Sequence, residues 1–142
     1  MRVRVLTSVT ATLLLLLALA MPVAAAAEPV RIDLRVDFAT GETFTATGFC
    51  PSGSAVSLGF HQAGVGRATT FHLFKELTCD DGSGTLVIRV EAAAVFDTPG
   101  TIGGWGVVDG SGDYASTRGG GKIVGIAFDG GIDDLYTGRL TH

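Results

Sequence analysis

Residues 30–38 alternate without a fault, with Val30, Ile32, Leu34, Val36 and Phe38 on one side and Arg31, Asp33, Arg35 and Asp37 on the other. A period of two sends successive side chains to opposite faces of a strand, so this segment predicts half-buried β structure with the apolar set on the core. Ala39-Thr40-Gly41 predicts a turn. Residues 42–50 then resume the alternation, with Thr43, Thr45 and Thr47 facing away from Phe44, Ala46 and Gly48. Pro51-Ser52-Gly53-Ser54 predicts the next break. Residues 55–64 carry Val56, Leu58 and Phe60 on one side.

In residues 69–79, Phe71, Leu73, Leu77 and Cys79 are in phase, and His72, Glu76 and Thr78 lie opposite. Asp80-Asp81-Gly82-Ser83-Gly84 predicts a hairpin, because Asp-Gly supplies the positive φ values of a tight turn. Residues 85–96 open as a strand in which Leu86, Ile88 and Val90 alternate with Arg89 and Glu91; Ala92-Ala93-Ala94 then suggests a helical turn. Thr98-Pro99-Gly100 breaks the chain again. Residues 102–108, 122–128 and 135–141 complete the set, separated by glycine-rich segments.

This pattern predicts an all-β fold of about eight antiparallel strands, a barrel or a β-sandwich. Gly48, Gly59, Gly106, Gly125 and Gly138 inside the strands favour the barrel, where tight coiling and bulges call for residues without Cβ. The expected domain spans residues 28–142. Residues 1–27 read as a signal peptide, with Arg2 and Arg4 at the charged end, an apolar run over residues 13–19, and the small residues Ala25-Ala26-Ala27 before the cut. The scission point falls somewhere between Ala24 and Glu28.

Composition then narrows the function classes. The chain carries a formal charge of −4, and the segment after the predicted cleavage keeps eight basic against fourteen acidic side chains. A dispersed, outnumbered set of cations argues against nucleic acid as a partner. No second hydrophobic run follows the leader, so no membrane contact is expected after cleavage, and an extracellular location is expected. Both cysteines, Cys50 and Cys79, lie in the exported part, and the only disulfide one chain can form joins them.

Candidate chemistry is sparse. Gly110-x-Gly112-x-x-Ala115 formally matches a dinucleotide fingerprint, but the segment after it is a strand, and the fingerprint needs a helix N-terminus. His61 and His72 have no ligand-pair spacing, and Asp80-Asp81 and Asp129–Asp134 lack the alternating oxygens of a calcium loop. No serine lies in G-x-S-x-G. No metal, no cofactor and no assigned catalytic residue is expected.

Trp105-Gly106-Val107-Val108-Asp109-Gly110-Ser111-Gly112-Asp113-Tyr114-Ala115-Ser116-Thr117-Arg118-Gly119 resembles the V-V-x-G-[ST]-G-x-[FY]-x-x-x-R-G hairpin of the allene oxide cyclase and dirigent β-barrel superfamily. Asp134-Leu135-Tyr136-Thr137-Gly138 is similar to a D-x-Y-T-G closing strand of small secreted bacterial barrels. The resemblance covers about the last 40 residues of the chain. It implies an eight-stranded antiparallel barrel, often a homo-oligomer, with an apolar cavity.

The expected function is therefore a secreted barrel that binds a small apolar ligand or another surface. The alternative is a cofactor-free cyclase or isomerase, or a dirigent-like stereo-directing protein. Trp105, Tyr114 and Arg118 are the candidate ligand contacts; Gly110, Gly112, Arg118 and Gly119 shape the hairpin. Arg118 reads either as a brace that ties several backbone carbonyls, Asp109 or Asp113, or as an anion clamp. Ionisable groups facing inward would separate catalysis from plain binding, because a cyclase needs an acid, base or oxyanion donor beside its substrate.

Overall fold

Each alternating segment becomes a strand, and the strands pair in sequence order: β1 (Glu28–Asp37), β2 (Gly41–Thr47), β3 (Ser52–Ala63), β4 (Thr70–Cys79), β5 (Gly84–Val95), β6 (Gly100–Gly112), β7 (Arg118–Phe128) and β8 (Gly131–Thr141). β8 returns to pair with β1, and the sheet is a closed antiparallel eight-stranded barrel. The computed structural model describes residues 25–64, 69–95 and 99–142. The predicted leader, apart from its last three residues, lies outside the described residues, as do Phe96 and Thr98.

Register decides which side chains share a face, because directly paired residues point the same way. Ile32 pairs with Ala46 and Tyr136, and Leu34 with Phe44 and Asp134. The core collects Val30, Ile32, Leu34, Phe44, Leu77, Leu86, Ile88, Val90, Trp105, Ile123, Tyr136 and Leu140, all buried. Arg31, Asp33 and Arg35 stay outside, where Arg31 pairs with Asp33 and Arg35 reaches across to Asp133 at 2.9 Å.

Four expectations are corrected. Phe38 is not in the core but 72% exposed. β1 ends at Asp37, whose carboxylate accepts from the Ala39 and Thr40 amides at 2.8 and 3.1 Å, and that turn swings Phe38 outward. The break expected at residues 51–54 comes earlier, and β3 already starts at Ser52. There Gly48 adopts φ +73°, and a Cβ would stand 2.1 Å from the Pro29 carbonyl oxygen.

Val56, Leu58 and Phe60 do not share one face. A bulge at Gly59 (φ +58°) shifts the β3–β4 register, so Val56 and Leu58 face solvent while Phe60, paired with Leu73, turns to the barrel side. Residues 92–94 form no helical turn. Ala92 pairs with Phe71 on one side and Gly103 on the other, and two complete ladders override alanine's helical preference.

The two ends of the barrel differ. At one end Cys50 and Cys79 form a disulfide, Cα–Cα 5.9 Å. Beside it Phe44, Phe49, Tyr114 and His142 stack in series, with ring centroids 5.7, 4.5 and 5.8 Å apart. That end is plugged. At the other end the β2–β3 ladder stops at Glu42↔Ala55, and residues 56–63 of β3 have no partner on β2. Inward positions there, Ser57, Phe60 and Ala127, remain exposed.

Candidate functional site

Glu42, Lys75, Asp134 and Tyr136 are the ionisable side chains that the described strands turn toward the open end of the interior. Glu42 is the second residue of β2 and shares a face with Val36 and Ala55. Lys75 sits on β4 opposite Ser57 and Ile88, in phase with Leu73 and Leu77. Its ammonium donates to Glu42 Oε2 at 2.6 Å and to Ser57 Oγ at 2.9 Å, and Ser57 donates to Glu42 Oε1 at 2.7 Å. Lys75 is only 3% exposed. A buried ammonium survives there because a carboxylate and a hydroxyl replace its water.

Asp134 and Tyr136 come from β8 and point inward together. The Tyr136 hydroxyl donates to Asp134 Oδ2 at 3.4 Å, a long contact, and the phenol ring lies edge-on to Trp105 at 6.1 Å. Asp134 pairs with Gly125 on β7, which pairs with Thr101 on β6. A methyl added at Gly125 would stand 2.5 Å from Thr101 Oγ1 and 2.6 Å from Asp134 Oδ1, so the two oxygens converge over a residue that must lack a side chain.

Burial pushes the Asp134 carboxyl up to about 6, against the opposing pull of the Lys75 charge and the Tyr136 hydrogen bond. Burial, then the nearby Asp134 charge, raises the Tyr136 phenol well above its ordinary range, so it is a neutral donor. The arrangement thus offers an acid–base group poised near neutrality, a neutral hydroxyl donor and a compensated ion pair.

Of the residues singled out from sequence, Trp105 borders this group through Tyr136, and Tyr114 and Arg118 lie at the other end. Trp105 is buried in mid-barrel, its indole N–H donating to the Thr137 carbonyl at 3.3 Å. Tyr114 belongs to the aromatic plug of the disulfide end. Arg118 is exposed at that same end and donates from Nη1 to the Thr117 carbonyl at 2.9 Å. Neither of the proposed carboxylate partners of Arg118 is used. Asp109 accepts from the Gly110 amide instead. Gly110 and Gly112 permit close backbone approach, since Cβ atoms would meet the Tyr114 and Ser83 carbonyl oxygens at 2.3 and 2.2 Å.

His61 and His72 face each other across the β3–β4 ladder. Among the described residues no three His, Cys, Asp or Glu side chains are grouped to hold a metal. Asp81 is occupied by the Ser83 amide and hydroxyl, and Asp80 accepts from Ser52.

Sequence reasoning passed over Glu42, Lys75 and Asp134 as functional residues. A signal existed for two of them: Lys75 interrupts the apolar phase between Leu73 and Leu77, and Asp134 shares the phase of Tyr136 in D-x-Y-T-G. Glu42 carried none. No protein-family model, no curated protein and no solved structure matches this chain.

Proposed function

We propose that the protein is a secreted barrel that binds a small, largely apolar ligand in its open end. The observation that carries this reading is the unequal treatment of the two ends: aromatic rings and a disulfide fill one, while the inward positions Ser57, Phe60 and Ala127 stand exposed at the other. Barrel mouths are natural ligand sites, combining apolar walls with a few convergent polar groups. The disulfide suits an oxidising compartment, and the barrel suits the cyclase and dirigent resemblance. Exposed Ile102, Val124 and Ile126, adjacent on β6 and β7, suit self-association of the barrel.

Titration of isotope-labelled protein with 2-phenylethanol, followed by amide chemical shifts, tests the reading. Shifts concentrated at Gly103, Gly125 and Ala92 support it. Shifts confined to the plugged end around Gly112 and Gly119 overturn it, as does the absence of any shift with this alcohol and with the corresponding amine and acid alike.

A second reading, acid–base catalysis of an isomerisation or cyclisation, is favoured by Asp134, whose proton affinity near 6 suits both giving and taking a proton. Asp134→Asn would abolish such turnover while the chemical shifts of the variant still report ligand entering the open end.

A further inference from the structure

We infer that the ligand of the open end is a small primary amine with an aryl or alkyl body, its ammonium group held by Asp134 Oδ1 and Thr101 Oγ1 over Gly125. This rests on the reading of the open end as a binding site and adds the chemical class of the occupant.

Charge balance is the first argument. The inward groups are Glu42 on β2, Lys75 on β4, and Asp134 and Tyr136 on β8, while β6 and β7 contribute the uncharged Thr101 and Gly125. Glu42 and Lys75 neutralise each other at 2.6 Å. Tyr136 is neutral. Asp133, next in sequence, faces outward and is paired with Arg35. Asp134 is therefore the uncompensated interior charge among the described residues, and an anionic ligand would meet net repulsion.

Acceptor geometry is the second. Tyr136 occupies Oδ2, and no described residue donates to Oδ1. Thr101 Oγ1 and Asp134 Oδ1 converge over Gly125. An ammonium has three donors and no acceptor, and it satisfies such an acceptor pair fully where a neutral hydroxyl supplies one proton. The rim is the third. Phe60 and Phe71, with centroids 6.0 Å apart, stand on the barrel side of β3 and β4 at the same end and offer an apolar wall to the ligand's body.

Calorimetric and chemical-shift titrations at pH 7.5 with 2-phenylethylamine, 2-phenylethanol and 3-phenylpropionate provide the test. The amine should bind at least about ten-fold more tightly than the alcohol, with the propionate weakest, because a charge-assisted hydrogen bond is the difference. Asp134→Asn should bring the amine down to the affinity that the alcohol has for the same variant. If that variant does not fold, the parent protein carries the test: the preference for the amine should vanish between pH 7.5 and pH 5 as Asp134 is protonated.

Equal or tighter binding of the alcohol or propionate overturns the inference, as does an amine preference that survives in the variant or at pH 5. Alcohol binding at Gly103 and Gly125 without an amine preference removes this inference alone and leaves the binding site standing. Absence of any shift there with all three compounds removes both.

Discussion

Replacing Lys75 by Met tests whether a charge pair is truly buried in this barrel. Lys75 is 3% exposed, and its ammonium contacts Glu42 at 2.6 Å and Ser57 at 2.9 Å. Lys75→Met keeps most of the volume but strands the Glu42 carboxylate, itself 13% exposed, on the same inner wall as Asp134. Breaking a buried pair by removing one partner costs about 3–5 kcal/mol, whereas replacing both partners with apolar groups is roughly neutral. For a domain of this size the single change should lower the melting temperature by about 10–20 °C. The double variant Lys75→Met with Glu42→Leu should return to within about 1 kcal/mol of the parent. Urea unfolding of the disulfide-intact protein reads this directly, with Trp105, the one tryptophan of the chain, as the buried fluorophore. A single variant as stable as the parent would refute the burial of the pair. A double variant less stable than the single would show that packing, and not stranded charge, set the cost.

Four further outcomes follow from the same structure. The Asp134 carboxyl ionises at about 6 in the folded protein against an ordinary 3.8, so its share of stability is complete below the lower value and is lost as pH rises through the upper one. Asp134→Asn should therefore gain on the parent by up to about 3 kcal/mol at pH 8 and by little at pH 4, read from denaturation curves at both. Cys79→Ser should cost about 2–5 kcal/mol, and unfolded, unreduced parent should show no free thiol by a colorimetric assay. Leu34→Ala, at a fully buried site, should cost about 2–5 kcal/mol in urea, whereas Asp33→Ala on the outer face should change little. Arg118→Lys should melt within about 0.5 kcal/mol of the parent, since the side chain is exposed and ties one neighbouring carbonyl; a larger loss would restore the multi-carbonyl brace.

Local alternation was enough to read the strands, because a strand with one buried face writes its pattern directly into the residue order. Val30, Ile32 and Leu34 against Arg31, Asp33 and Arg35 left no second interpretation, and two cysteines left one disulfide. The turn at Asp80–Gly84 was legible for the same reason, its φ requirements being met by specific residues. Where the pattern depended on a neighbour, it misled. The alanines of β5 are extended because β4 and β6 clamp them, and Phe60 turns inward because Gly59 bulges against β4. The candidate site belongs to this second kind. Glu42, Lys75, Thr101, Gly125 and Asp134 lie on five different strands, and closure of β8 on β1 brings Asp134 to the inner wall that carries Lys75 and Glu42. Residue order determined which side chains could face inward; the register around the closed barrel decided which of them meet, because an interior charge finds its partner through space across strands that are far apart in the chain.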